Sequence, residues 1–342
     1  MSARRTGIKA KSLPVPPPPK SRSQKRTAPK AAGTARAKPP AWCKPGPITL
    51  THDATVDDAI WTIAGACRDH WQANLAAALA GEHPEGIHQV RVGLRRFRVF
   101  LTLFMDRLPA DQLAWLKAET KVLGDALGQA RDLDVFLTEL VGPLTAKATD
   151  DSNVAVLLRG ARDARESAQE NAVTALTSPR YRRFMTRLNT WLSGRGWRNE
   201  AHKHQESAHA FARHTLNHRL AKVVDRAKSV DDMSAHKLHR LRIAVKKLRY
   251  GFEFFHDLLP HKRAPKAAHV LKDLQDALGH VNDLEVAQRT ITMLSERARD
   301  NAARLAIARG GRKLTAAFSN AAKQARPQAT RAAHRLRDQK PL

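Results

Sequence analysis

A histidine followed by four cations at fixed spacing occurs twice in this chain. HQVRVGLRRFRVFLTLF occupies 88–104, and HRLRIAVKKLRYGFEFF occupies 239–255, 151 residues later. Both copies keep one order: His, two residues, Arg, three residues, two cations, one apolar residue, Arg. Guanidinium forks and ammonium groups are the side chains that grip anionic oxygens, Arg as a planar fork and Lys as a point charge. Imidazole donates to the same oxygens, and its charge rises as pH falls. The chemistry that this pattern points to is recognition of an anion by an ordered set of donors.

An α-helix is the element that would position them. At about 100° per residue, His88, Arg91, Arg95 and Arg98 share a stripe about 80° wide. Val90, Leu94, Phe97, Leu101 and Phe104 form a separate apolar stripe. In the second copy His239, Arg242, Lys246 and Arg249 form the basic stripe, and Leu241, Val245, Leu248, Phe252 and Phe255 the apolar one. Arg96 and Lys247 sit off the basic stripe in their respective copies. A solvated basic surface is the alternative for either helix alone; repetition of the same order argues against it.

The repeat extends beyond these helices. LGDALGQARDLDV at 123–135 matches LQDALGHVNDLEV at 274–286, again at an offset of 151, and RGAR at 159–162 matches RGGR at 309–312. Arg68 and Arg219 also align. This is an internal duplication of a unit of about 150 residues. Two similar halves packed about a pseudo-two-fold axis would bring both basic stripes into one shared groove. The alternative turns them to opposite sides.

From residue 53 onward the pattern is helical, with Ala, Leu, Arg and Glu dominant and no alternating β-branched runs. Helices are predicted near 55–80, 85–107, 110–128, 132–148, 152–177 and 179–193, then near 203–229, 234–258, 264–279, 283–299 and 302–325. Thr55 with Asp58 has capping-box spacing. Gly128 and Gly279 are predicted as helix stops, and Asp132 and Asn282 as caps of the helices that follow. Acidic metal ligands are the alternative for the carboxylates around these glycines.

The 342 residues carry a formal net charge of +28, which implies an anionic partner: nucleic acid, a membrane surface or polyphosphate. Residues 1–47 hold 12 Lys or Arg, no Asp or Glu, and 10 of the 18 prolines. They read as a disordered basic arm, leaving 48–342 as the helical domain, with halves at about 50–200 and 201–326 and a short basic tail at 327–342. Cys43 and Cys67 cannot build a disulfide framework or a four-thiolate zinc site. No stretch reaches the roughly 18 apolar residues of a membrane span, and a reducing cytoplasm fits.

The duplicated H-x-x-R-x-x-x-[RK]-[RK]-[FL]-R, followed 35 residues after the His by L-x-D-A-L-G-x-x-x-D-L-[DE]-V, resembles the CHAD family, the conserved-histidine α-helical domain. The likeness covers about 50–325. It implies an all-α fold of two pseudo-symmetric helical-bundle halves around a basic cavity. It also implies binding of inorganic polyphosphate and, in bacteria, association with polyphosphate granules. The polyphosphate-binding residues that it implies are His88, Arg91, Arg95, Arg96 and Arg98, with His239, Arg242, Lys246, Lys247 and Arg249. Some members of the family carry a triphosphate-tunnel domain with an ExExK signature. That signature is not found here, so the expectation is a stand-alone, non-catalytic binding module without cofactor or metal.

Two other readings stay open. A nucleic-acid-binding protein fits the charge, with the arm as a weak electrostatic contact; only 18 residues are aromatic, and the stripes lack a stacking platform. An enzyme would use His as phosphoryl acceptor or metal ligand. His214 with His218, and His236 with His239, have helical spacing for a metal but lack the zinc-protease pattern.

Overall fold

The computed structural model describes residues 40–142, 151–198, 205–339 and 342. Among these residues every regular element is helical, and β-type pairing is confined to one isolated bridge between Thr55 and Ser207. The predicted arm lies outside the described residues up to residue 39. Residues 40–47, assigned to that arm from composition, are instead fixed on the first helix. Asn74 accepts from the Cys43 amide at 2.8 Å and donates to the Cys43 carbonyl at 3.0 Å.

The first series of helices is α1 (Val56–Ala73), α2 (Leu75–Ala80), α3 (Glu85–Leu103), α4 (Ala110–Ala126), α5 (Gly128–Val135), α6 (Ser152–Thr177) and α7 (Pro179–Ser193). The second is α8 (Ala208–Arg226), α9 (Ala235–Phe254), α10 (Ala264–Glu296) and α11 (Asn301–Arg337). Short 3₁₀ turns follow α3 at Met105–Arg107 and α9 at His256–Leu258, themselves 151 residues apart. Both series feed one continuous apolar core, and residues 39–342 form one unit. The halves near 50–200 and 201–326 are therefore not separate globules.

Local chemistry explains most of the starts. Thr55 caps α1 in the expected box: its hydroxyl accepts from the Asp58 amide, and the Asp58 carboxylate accepts from the Thr55 amide. Ser234 caps α9 through the Lys237 amide. The Asp57 carboxylate, at the first turn of α1, is buried. It accepts from Trp197 Nε1 at 2.7 Å, from Arg198 and from Arg195, tying the segment after α7 to the start of α1. Burial alone would raise its pKa, but the bonds from Arg198, Trp197 and Arg195 prevail and hold it below the usual carboxylate value.

The apolar stripes of α3 and α9 are fully buried, all ten positions lying between 0% and 4% exposed. Each such Phe, Leu or Val contributes about 1.5–3 kcal/mol by leaving water. Their burial leaves the cationic faces of the same helices to look elsewhere.

Three sequence expectations need correction. Gly128 and Gly279 do not stop helices through positive φ; among the described residues positive φ occurs only at Arg195 and Gly81. Gly128 opens α5 after a break at Leu127, whereas Gly279 sits inside the unbroken α10. Leu274, Ala277 and Leu278 before it, and Val286 and Ala287 after it, are buried, and α10 packs along α11. That burial outweighs the roughly 1 kcal/mol cost of a helical glycine. Asp132 and Asn282 therefore lie inside helices and cap nothing. Finally, 327–339 is not a tail. The last helix runs through Pro327, because Ala325, Ala329, Ala332, Ala333 and Leu336 are buried on both sides of it. Beyond it Leu342 is buried, its carbonyl accepting from Arg213 and Asn217.

Glycine has a different duty at position 93. A Cβ there would lie 2.7 Å from Trp71 Cβ and 2.9 Å from the Trp71 backbone nitrogen, so α3 is seated directly on α1. At Gly279 nothing lies within 4 Å of the same atom. Gly93→Ala is expected to destabilise the protein by roughly 1–3 kcal/mol through overpacking. Gly279→Ala is expected to stabilise it by roughly 0.5–1 kcal/mol through helix propensity. Denaturant titration of the two variants beside the parent checks both signs.

Candidate anion-binding cleft

The two basic helices touch. α3 and α9 pack together at their C-terminal ends, where Phe104 and Phe255, equivalent positions of the repeat, have ring centroids 5.9 Å apart. Phe211 of α8 lies against both, at 4.9 Å and 6.1 Å. An ion pair crosses the same interface: the buried Arg96 of α3 reaches the exposed Glu253 of α9 at 2.8 Å and stands 5.6 Å from the Phe254 ring. Arg96 is 1% exposed. Of the ten candidate residues, it is the one that the structure uses as a strut, because its charge is answered by a carboxylate and its surface is inaccessible.

Beside this contact a cleft of about 680 Å³ opens. From α3 it takes Arg91, Arg95 and Arg98; from α9, Arg242, Lys246 and Lys247; from α4, Lys117 and Lys121. One carboxylate, Asp125, lies on its wall and pairs with Lys121 at 2.6 Å. Among the described residues, Arg95, Arg98, Lys117, Lys246 and Lys247 have no acidic partner within ion-pair range. Sequence reasoning missed Lys117 and Lys121. Their i, i+4 spacing, one turn before Gly124 and Gly128 on the same face, was the available signal.

Two arginines are aimed by neutral acceptors. Arg91 Nη1 donates to the Gly124 carbonyl at 2.8 Å, and Arg242 Nη1 donates to Asn282 Oδ1 at 3.0 Å. The conserved spacing of the second motif gains a role here. A Cβ at Gly128 would stand 3.3 Å from Arg91 Nη1, and one at Gly124 would stand 3.6 Å from Arg98 Nη1. The small residues of the ALG segment make room for guanidinium groups.

The charges crowd one another. Burial, then Arg95, Arg242, Arg249 and Arg91, push the Lys246 ammonium down to about 7. Arg95 and Arg91 come from α3, and Arg242 and Arg249 from α9, so the two stripes act on one amine. Burial, followed by Arg219, Arg98 and Arg226, lowers Lys247. Arg91 is pushed down to about 10 by burial and by Arg95, against the pull of Asp132. Burial also lowers Arg242. Arg219 of α8 is a further residue whose role the sequence left unread; it donates to the Thr102 carbonyl at 2.5 Å, where α3 ends.

The histidines stand outside the cleft. His88 and His239 lie toward the N-terminal ends of α3 and α9, in acid-bearing surroundings. His239 Nδ1 is 3.4 Å from Glu285, and Arg131, next to His88, pairs with Glu139 at 2.6 Å. Burial and then Arg131 push His88 down to about 4, against Glu85. Its imidazole is neutral near pH 7, contrary to the expectation of a charge that rises across the physiological range. Arg249 lines a neighbouring pocket instead. The structure thus gathers Arg91, Arg95, Arg98, Arg242, Lys246 and Lys247 in one place, and not His88, Arg96, His239 or Arg249. His214 and His218 are exposed on α8. Among the described residues no group of three or more His, Cys, Asp or Glu side chains could hold a metal ion, and no helix is long and apolar enough to cross a membrane.

Comparison with known proteins gives a consistent result. The CHAD domain family model matches residues 62–292. The crystal structure of the CHAD domain from the plant Ricinus communis is similar with a TM-score of 0.76 and 30% sequence identity, over 88% of this chain and 98% of that chain. PptA from Streptomyces chartreusis shares the fold with a TM-score of 0.58 at 17% identity, over 82% of this chain and 99% of that one. Two uncharacterised proteins of Mycobacterium tuberculosis, from strains H37Rv and CDC 1551, are each 29% identical over 184 residues, 51% of this chain. The match covers 34% of their length, so the chain accounts for about a third of those relatives.

Replacing Lys246 tests the crowding. An amine held near 7 in the folded protein and near the ordinary lysine value of 10.5 when unfolded loses protons on folding between those values. Its cost is therefore full below about pH 7 and relieved as pH rises toward 10.5. Lys246→Met is expected to raise stability at pH 6 by at least about 1 kcal/mol, a rise in Tm of roughly 2–4 °C. The gain is expected to shrink at pH 9.5. Thermal unfolding at the two pH values measures it.

Proposed function

The chain belongs to the CHAD family, and from that premise we propose that it binds inorganic polyphosphate, without catalysis, in the cleft between α3, α4 and α9. The observation that carries this reading is the convergence of Arg91, Arg95 and Arg98 of α3 with Arg242, Lys246 and Lys247 of α9 on one cleft, whose wall carboxylate, Asp125, is paired with Lys121. Half-buried like charges repel, and a linear polyanion relieves that repulsion along its length. Side chains aimed by the Gly124 carbonyl and the Asn282 amide keep their full charge for the ligand.

In this reading the repeat halves face each other about a pseudo-two-fold axis near Phe104 and Phe255. Equivalent residues meet only near such an axis, and the 5.9 Å ring contact supports it. The shared cleft follows from the same arrangement. Targeting to polyphosphate granules is the cellular role that a receptor of this kind would serve.

Competition is the direct test. Long-chain polyphosphate is expected to displace duplex DNA from the purified protein at matched phosphate and physiological salt. A narrow cleft between helices admits a thin flexible chain and not a rigid duplex. Equal or weaker affinity for polyphosphate would overturn the reading in favour of nucleic acid. Both stripes are expected to serve one site: Arg91→Ala with Arg95→Ala, and separately Arg242→Ala with Lys246→Ala, each weaken binding by about tenfold or more. Binding that survives loss of either stripe, but not of both, would mean two independent surfaces. Phosphate release from polyphosphate is expected to stay at background with or without divalent metal.

Binding is also expected to weaken as pH rises. A polyanion raises the pKa of Lys246, so the complex takes up a proton wherever the free amine has lost one, above about pH 7. Affinity is expected to fall roughly tenfold between pH 6 and pH 8.5. In Lys246→Met the slope is expected to flatten. His88, held near 4, contributes nothing across that window. Titrations at four pH values in constant salt measure the effect.

A further inference from the structure

A second pocket adjoins the basic cleft and shares Lys246 with it. Its volume is about 450 Å³, within the range of about 300–1,000 Å³ typical of small-molecule sites. It lies between α9 and the first turns of α10, as the basic cleft lies between α3 and α4. The two correspond position by position at the 151-residue offset: Lys246, Arg249 and Lys272 stand where the first copy has Arg95, Arg98 and Lys121. Even the rim ion pair recurs, Lys272 with Asp276 at 2.8 Å and Lys121 with Asp125 at 2.6 Å.

The remaining positions have changed character. Lys117 is answered by Ala268, Val99 by Tyr250, Thr102 by Glu253 and Gly124 by Gln275. The second wing has given up one lysine and gained an aromatic ring, a carboxylate, an amide and the imidazoles of His256 and His269. Tyr250 is half-buried and stacks on the buried Phe254 at 6.3 Å, which holds its ring in place. Phe252, Leu259 and Ala264 supply an apolar floor. The half-exposed Glu253 carboxylate stands 2.8 Å from Arg96 and lines the pocket, and Gln275 offers both a donor and an acceptor. A pure polyphosphate chain has no use for a ring, an apolar floor and a carboxylate. A flat heteroaromatic group with polar edges uses all three.

We propose that this pocket holds the base of a nucleoside polyphosphate, whose phosphates lie on Lys246 and Arg249 and run on into the basic cleft. The inference rests on the reading of the cleft as a phosphate-chain site. Stacking of the base on Tyr250 supplies affinity that tolerates base identity. Contacts from Gln275 and Glu253 to the exocyclic groups would favour bases carrying an amino group, adenine and cytosine over uracil.

The test compares tripolyphosphate with ATP by titration calorimetry on the full chain, without divalent metal, at physiological salt. Charge alone gives ATP no advantage over tripolyphosphate. ATP is expected to bind about tenfold tighter. Ala268→Phe, which fills the pocket, and Tyr250→Leu, which removes the stacking surface, are each expected to abolish that advantage and leave tripolyphosphate binding unchanged. Tripolyphosphate binding with ATP equal or weaker would overturn the nucleotide site and leave the cleft intact. Failure of both ligands would overturn the cleft reading as well. Photolabelling of the unmutated chain with 8-azido-ATP does not depend on the variants folding. Label within 250–275 is expected, and label confined to any other segment would overturn the proposal.

Discussion

Contact between the ends of α3 and α9 sets everything else in this molecule. Phe104 and Phe255 meet at 5.9 Å, with Phe211 against both. The rings fix how far apart two cationic helices can stand. Left to electrostatics, these faces would separate; burial first, and then the arginines of both helices, hold the Lys246 ammonium down to about 7. Apolar burial behind the charges opposes that repulsion. Ten stripe residues between 0% and 4% exposed, each contributing about 1.5–3 kcal/mol, outweigh a few unfavourable pairs. The Arg96–Glu253 pair adds a directional tie across the same interface. Removing Glu253 would leave the Arg96 charge buried without an answering carboxylate.

A cleft that binds polyphosphate, as proposed, has to aim its cations without neutralising them. Here the distinction is drawn by the choice of acceptor. Arg96 meets a carboxylate and is withdrawn from use. Arg91 and Arg242 meet a backbone carbonyl and a side-chain amide, which orient a guanidinium while leaving its charge. Acids stand nearby at Glu85, Glu139 and Glu285, around the histidine ends of the helices, and at Asp125 on the cleft wall, where Lys121 pairs with it. The same two helices thus carry a neutralised end and a concentrated end. The difference comes from which segment of α5 or α10 each turn faces.

Much of this was legible in the sequence. The order of cations, the two apolar stripes and the Thr55 capping box are local or periodic features, and each is found as read. What the sequence hid depends on neighbours distant along the chain. Gly279 carries the same signal as Gly128, yet α10 runs through one and α4 ends just before the other, because α11 supports the first along its length. Pro327 would end an isolated helix; burial of the alanines around it carries α11 to Arg337. Arg96 and Lys247 are equivalent in the motif and opposite in role. Glu253 is what separates them, and its own equivalent in the first half is Thr102.

On the proposed reading of the chain as a duplicated unit, that last asymmetry gives the two copies different surfaces. A substitution on one helix acts on both wings at once where the copies meet. Glu253 pairs with the buried Arg96 and also lines the pocket between α9 and α10. Thr102, in the same place in the first copy, instead receives Arg219 through its carbonyl and brings no acid to the basic wing, where Asp125 is paired with Lys121. Lys117 and Ala268 extend the contrast along α4 and α10. The frame, meaning the stripe cations and the rim pair, is kept in both copies because it is set by helix geometry. The chemistry of each wing is then decided by the few positions that the frame leaves free.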